Sequence, residues 1–505
     1  MSSNEIFPLV PAGWRSTTLG ELAKESGGSI QTGPFGSQLH AADYVDEGIP
    51  SIMPKNIRID GVDTSDIARV SSKDVERLAK HKVLAGDVVY SRRGDVEKCC
   101  LITSGEEGWL CGTGCLRVRI PSSVLSPVFL HAYLCHPAVR EWIVRHAIGA
   151  TMPNLNTSIL SALPILVPPI NEAESVADIW ALVSRKISLN TQTNQTLEQM
   201  VQALFKSWFV DFDPVFDNAL DSGFFEREFQ GEGIPEPLAS RVAVRRAIRQ
   251  AGREGMRQAA PEEMRPAIEP AQGAHSGTAI SAAPGTASQD TAAVNASHSL
   301  PADIRALFPA SFVEHPDLGW IPKGWEASRL DSVLELAYGK ALKKTDRIDG
   351  SISVYGSGGI GGYHNEALVS GPGIIVGRKG TVGSLFWEDD DFFPIDTVFY
   401  VKPHAGVPLG YCFELLKTLR LEGMNTDAAV PGLNRNNAYR LLFAKPSTDI
   451  KNLFANFINS LKAQQKSLHD QTKSLAAMRD TLLPKLLSGE LTLATTESVE
   501  SPISA

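Results

Sequence analysis

Two short segments of this 505-residue chain place cations beside a glycine at the end of an apolar run. Gly86 to Val96 reads GDVVYSRRGDV, and Pro372 to Val382 reads PGIIVGRKGTV. Arg92, Arg93 and Gly94 correspond to Arg378, Lys379 and Gly380 at an offset of 286. Glycine there permits close backbone approach, and a guanidinium can grip a phosphate or read the edge of a guanine. Further candidates of the same kind are Lys55 and Asn56 after GIPSIM, and Gly33 and Gly36 in TGPFGS. Lys340, Lys343, Lys344, Tyr355 and Ser357 add a second group. Asn154, Asn156, Asn434 and Arg435 admit two readings, contact with a nucleic acid or shaping of the turn into a following long helix.

Catalytic and cofactor signatures are weak by comparison. Gly356, Gly358 and Gly361 make a formal GxGxxG, but the YHNEALVSGPG that follows is too short and broken for the required helix, so a flexible loop at a sheet edge is expected. GKALKKT lacks the earlier glycine and the later Ser or Thr of a phosphate loop. DFDPVF (Asp211 to Phe216) has only a faint likeness to an adenine methyltransferase motif, lacking its second proline. Cys99, Cys100, Cys111 and Cys115 do not have the spacing of a zinc knuckle and read as small apolar residues on buried strands. No catalytic residue, cofactor site or metal site is therefore expected in the chain itself.

The elements that would hold the candidate residues occur twice. PAGWRSTTLGELA (Pro11 to Ala23) matches PKGWEASRLDSVLELA (Pro322 to Ala337), with Trp14 on Trp325 at an offset of 311. ATMPNLN (Ala150 to Asn156) matches AAVPGLN (Ala428 to Asn434) at an offset of 278, leaving the first copy 33 residues longer inside a shared frame. Short β-branched runs such as DVVYS, LRVRI, GIIVG and TVFYV between Gly and Pro clusters predict strands, so each copy should be α+β with a twisted sheet. Each is followed by a heptad seam. Val176, Trp180, Val183, Ile187, Asn190, Asn194, Leu197, Val201, Leu204 and Trp208 repeat 278 residues later as Phe454, Ile458, Leu461, Gln465, Leu468, Thr472, Leu475, Arg479, Leu482 and Leu486. Two matched seams favour pairing of the helices as an antiparallel coiled coil, with Asn194 and Thr472 as polar residues at matched levels. Between the copies the composition turns to Ala, Gly, Ser, Thr and Pro, which reads as a linker. Within it Arg241, Arg245, Arg246, Arg249, Arg253 and Arg257 suggest a solvated basic helix in preference to a DNA contact.

The formal charge of -9 does not by itself suggest a nucleic-acid partner. The start of the chain lacks a signal-peptide pattern and no run is long enough to span a membrane, so a cytoplasmic protein without membrane association is expected.

GW with LGEL, the SRRG loop, PNLN, LFKSWFVDFDPVF, LFPASFVEHPDLGWIPKGWE and the ending MRDTLLPKLLSGEL together resemble the specificity subunits of type I restriction-modification systems. The resemblance covers nearly the whole chain except the linker, which is longer than that family's pattern. It implies a target-recognition domain at 1–167, a spacer helix at 168–214, a linker at 215–318, a second recognition domain at 319–446, a second helix at 447–491 and a disordered tail at 492–505. It further implies a bipartite double-stranded DNA target, which the unequal interiors would make asymmetric. The partners would be two methyltransferase subunits and motor-nuclease subunits, which would carry S-adenosylmethionine, ATP and Mg and perform N6-adenine methylation and cleavage. Two rival classes are a coiled-coil scaffold that binds proteins, and a DNA-modifying enzyme with an unrecognised site.

Overall fold

The computed structural model describes residues 6–7, 10–149, 153–231, 233–259, 300–424, 432–488 and 490–491. Parts of the ATMPNLN and AAVPGLN segments (150–152 and 428–431), the low-complexity run 260–299 and the tail 492–505 lie outside these residues. The chain divides into two units, one of residues 1–193 with 468–505 and the other of residues 194–467. Labels below are given only to elements that the argument uses.

In the first unit, β1 (Arg15–Thr18) pairs antiparallel with β6 (Pro164–Val167), Arg15 facing Val167. Between them lie β2 (Ser29–Thr32), β3 (Val88–Ser91), β4 (Cys99–Leu101) and β5 (Cys115–Arg119), joined as one sheet in the order β2-β5-β3-β4. Val88, Tyr90, Leu116 and Val118 point alternately into a core that also takes Phe129, Tyr133 and Trp142. The alternate residues Val89, Cys100 and Cys115 fall in a second cluster, so the central strands are buried on both faces. The covering helices include α1 (Pro127–Leu134) and the short α2 (Thr157–Ala162).

The second unit repeats this frame. There β7 (Glu326–Arg329) pairs with β12 (Leu442–Lys445), Glu326 facing Lys445. Its sheet of β8 (Leu334–Tyr338), β9 (Gly373–Gly377), β10 (Leu385–Glu388) and β11 (Val398–Pro403) has the order β8-β11-β9-β10. The offsets of 311 and 278 seen in the sequence are thus the registers of one bracketing strand pair formed twice. The interiors differ. The first domain inserts a four-stranded sheet of Tyr44–Val45, Ile49–Ile52, Ala68–Val70 and Leu110–Cys111, and the second a three-stranded one of Ile352–Gly356, Gly359–His364 and Phe392–Pro394.

Two helices of equal length follow the frames, α3 (Ile170–Phe209) and α8 (Thr448–Leu487), 278 residues apart at both ends. They pair antiparallel within each unit. In the first unit Val176, Ala177 and Trp180 share a core with Leu486 and Leu487, and Asn190 Nδ2 donates to the Leu468 carbonyl at 3.5 Å. In the second, Phe205, Trp208 and Phe209 pack on Phe454. Asn194 Nδ2 donates to the Gln465 carbonyl at 3.3 Å, and Gln465 Nε2 returns a bond to the Asn194 carbonyl at 3.2 Å. The polar partner of Asn194 is therefore Gln465, while Thr472 donates to Leu468 of its own helix. An antiparallel pair brings together residues whose numbers run in opposite senses, so positions matched by the repeat are not the positions that touch.

The linker expected at 215–318 does not describe residues 215–259. These form α4 (Asp213–Asp221), a short helix Phe224–Glu228 and α5 (Glu236–Ala259), whose Val215, Phe216, Phe225, Leu238 and Val242 join the core of the second unit. The arginines of α5 face acids. Arg245, 1% exposed, makes a two-point contact with Asp217, and Arg241 meets Asp211 and Asp213 at 2.9 and 2.8 Å. Arg246 pairs with Glu226, and Arg249 with Asp221. Neither a solvated face nor a DNA contact accounts for Arg241, Arg245 and Arg249, while Arg246 stays on an exposed face beside Glu226; Arg253 and Arg257 lie beyond the side chains described. The same pairs give DFDPVF a structural task, with Phe212 held at φ 55 as the N-cap of α4.

Candidate nucleic-acid interface

The two cationic glycine turns sit at the same place in their frames. Each leaves the end of a central strand, β3 or β9, with Gly94 at φ 75 and Gly380 at φ 84, the left-handed region that glycine enters without a Cβ penalty. The turns close identically. Val96 N donates to the Gly94 carbonyl at 2.8 Å, and Val382 N to that of Gly380 at 3.0 Å. Each is then tied to the strand-like stretch before a short helix. Leu155 N reaches the Arg92 carbonyl and Leu433 N that of Arg378, both at 2.8 Å, while Arg93 bridges Asn154 and Lys379 bridges Gly432.

Side chains follow the backbone symmetry. Arg93 and Lys379 are exposed and make no ion pair to any described residue. Arg92 and Arg378 are half-buried and stack on aromatics. The Arg92 guanidinium lies 5.8 Å from the centroid of Phe35, and that of Arg378 lies 4.9 Å from Tyr338 and 5.8 Å from Phe399. Arg435 shares Tyr338, also at 4.9 Å, so two guanidinium groups converge on one ring. Phe35 and Tyr338 are themselves about half exposed, at 53% and 49%. Each domain thus offers one cation stacked on an aromatic next to one exposed to solvent, with the Arg378 guanidinium also donating to the Asp396 carbonyl at 3.0 Å, a combination suited to base edges and phosphates respectively.

Other candidates are distributed unevenly around these turns. Gly36 and Phe35 fall on the loop beside Arg92, whereas Gly33 is a packing glycine: a Cβ there would stand 2.1 Å from the Gly112 carbonyl oxygen. Gly339 meets the Ile395 carbonyl at the same 2.1 Å, so this close approach belongs to the shared frame. Ser357 lies against Gly380, 3.1 Å from where its Cβ would be. Lys340, Lys343 and Lys344 are exposed on the segment after β8, but none of their side chains touches the turn in any contact described.

Burial and local hydrogen bonding redirect several of these residues. Asn56 is 2% exposed, accepts from Met53 N at 3.1 Å and donates to the Asp63 carbonyl at 3.0 Å, so it organises its own turn. Lys55 beside it is exposed and paired with Asp66. Tyr355, 5% exposed, donates to Glu388 at 2.9 Å, and burial together with that carboxylate pushes its phenol well above the usual range. The GxGxxG is no loop but the turn and second strand of a hairpin, Gly356 facing Gly359. Asn156 and Asn434 are N-caps of α2 and of α7 (Arg435–Tyr439), accepting from Ile159 N at 2.8 Å and Asn436 N at 2.9 Å, so they begin these short helices rather than the long ones.

Phe35 and Tyr338 were missed in the sequence, although each lies close to a frame glycine, Phe35 two residues after Gly33 and Tyr338 one before Gly339. Among the described residues no helix is long and apolar enough to cross a membrane.

The model of the type I restriction modification DNA specificity domain matches residues 11–199 and 322–437. The type I restriction enzyme HindI specificity subunit of Haemophilus influenzae is 24% identical over 458 residues, spanning 83% of this chain and 89% of that protein. The EcoBI specificity subunit of Escherichia coli is 21% identical over 197 residues, 38% of this chain and 40% of its own length. Among solved structures, the type I restriction-modification S subunit from M. genitalium aligns over 96% of this chain and 98% of its own with a TM-score of 0.46 and 15% identity. With one matched region falling on each of the two repeated frames, the chain belongs to the type I restriction-modification DNA specificity family.

Proposed function

We propose that this chain is the non-catalytic sequence-reading subunit of a type I restriction-modification complex and recognises an asymmetric bipartite double-stranded DNA target. The observation that carries this reading is the pair of equivalent cationic turns, Arg92-Arg93-Gly94 and Arg378-Lys379-Gly380, on one frame with two different interiors. Stacked Arg92 and Arg378 read base edges, and exposed Arg93 and Lys379 hold phosphates. Methyltransferase and motor-nuclease subunits supply catalysis and bind S-adenosylmethionine, ATP and Mg. The acidic net charge fits a subunit whose partners provide much of the positive clamp.

The test is a map of N6-methyladenine in a host genome with and without this gene. A split motif should vanish with the gene, and an unchanged map would overturn the proposal. Replacing Arg92 with Ala should relax one half of the motif and Arg378→Ala the other, each by about 1–3 kcal/mol of discrimination.

A further inference from the structure

We propose that Cys99, His131 and Cys135 form a buried site for one thiophilic d10 metal ion, zinc(II) or copper(I), within the first recognition domain. Cys99 comes from β4, His131 from the second turn of α1, and Cys135 from the residue that caps that helix. The spacing of four residues puts His131 and Cys135 on one helix face, opposite the strand that carries Cys99. All three are buried, at 3%, 4% and 9% exposure.

The spacing of the donor atoms is that of coordination. Cys99 Sγ and Cys135 Sγ are 3.7 Å apart, Cys135 Sγ and His131 Nε2 are 3.4 Å apart, and the three donors all lie within 4.8 Å of one another. A tetrahedral ion with bonds of about 2.3 Å to sulfur and 2.0–2.1 Å to nitrogen separates two sulfurs by about 3.8 Å and sulfur from nitrogen by about 3.6 Å. A disulfide would need the sulfurs at about 2.05 Å. Two of the three donor edges therefore match those of a metal polyhedron, the third donor pair lies within 4.8 Å, and the sulfurs are not at the length of a covalent bond.

Charge and surroundings agree. Two thiolates balance a dication, so binding of zinc releases two thiol protons to solvent and leaves a neutral complex in an apolar core. The soft sulfur pair selects zinc(II) or copper(I) over hard ions. Trp180 packs edge-on against the His131 ring at 6.1 Å and 71°, an outer partner that fixes the orientation of this ligand. Cys100 faces the other side of the strand, in a separate cluster with Cys111 and Cys115. In the second domain Leu385 takes the register position of Cys99, so the site belongs to one domain only. Its effect would be to lock β4 to α1 next to β3, the strand from which the Arg92 turn departs.

The full chain, stripped with a chelator under reducing conditions, should be titrated with cobalt(II) as a zinc probe and, anaerobically, with copper(I) against a chromogenic chelator. Wild type and Cys100→Ser should each take up one equivalent, with a thiolate-to-metal charge-transfer band, and Cys99→Ser should lose at least tenfold in affinity. Should Cys99→Ser fail to fold, alkylation of wild type decides: bound metal should protect two more of its six cysteines than the stripped protein does. Folded wild type that takes up neither ion, or a Cys99–Cys135 disulfide under these reducing conditions, overturns the proposal.

Discussion

Glu198 offers a quantitative check on how the second recognition domain is fastened to its helices. It lies on α3 and receives Lys417 of α6 (Leu409–Thr418) on one carboxylate oxygen, and Lys462 of α8 at 3.1 Å on the other. Gln465 Nε2 adds a bond at 3.3 Å. Burial alone would raise this carboxyl, but the Lys417 hydrogen bond and the charges of Lys462 and Lys417 outweigh it and hold the group at about 2, against an ordinary 4.5. A folded-state pKa below the unfolded value means stability that is present in full above about pH 4.5 and lost as the pH falls toward 2. That displacement corresponds to at most about 3 kcal/mol at pH 7, and solvent screening at this partly exposed carboxylate lowers it to about 1–3 kcal/mol. Glu198→Gln keeps the size and hydrogen-bonding shape and removes the charge, so it should cost about 1–3 kcal/mol at pH 7 and under about 1 kcal/mol near pH 3. Urea unfolding of the full chain by far-ultraviolet circular dichroism at pH 7, 5 and 3 reads this as a converging pair of midpoints. A cost that is independent of pH, or below about 0.5 kcal/mol at pH 7, would refute the assignment of the charge as the fastening element.

Arg245→Ala strands Asp217 in the core and should destabilise by about 3–5 kcal/mol, whereas Arg246→Ala at the exposed pair with Glu226 should cost under about 1 kcal/mol; thermal unfolding compares the two. Asn156→Ala and Asn434→Ala should each lose about 1 kcal/mol of stability while leaving the methylated motif intact, and a changed motif at unchanged stability would return them to the DNA surface. In the assembled complex, Arg93→Ala and Lys379→Ala should each lower the slope of log affinity against log salt by about 0.9, measured by fluorescence anisotropy at several salt concentrations.

The frame was legible in the sequence because it is repeated. Trp14 with Trp325 and Pro153 with Pro431 fixed two offsets that reappear as strand registers, and the heptad positions are buried or half-buried along both helices except Leu482. The cationic turns were legible for the same reason. What escaped is the chemistry that depends on tertiary neighbours. Asn56 and Tyr355 have types common at binding surfaces, yet their neighbours Asp63 and Glu388 draw them inside. The arginines of α5 read as a solvated face because their acids lie some 28 residues upstream, on a helix concealed in a stretch whose later part is low in apolar content. Cys99, His131 and Cys135 are 36 residues apart from first to last, and only the packing of β4 on α1 brings them together.

The strand pairs β1-β6 and β7-β12 enclose their domains like identical brackets, with the same register and the same helix phase beyond them. A genetic crossover within one bracket would exchange the enclosed text without altering the punctuation. The interior can change length, as the 33-residue difference already attests, while the first residue of the following helix keeps its seam position. If each interior reads one half-site as proposed, a new preference is reachable by recombination between genes, or between the two halves of one gene, in a single step. The surface that partner subunits would grip need not change in the same event.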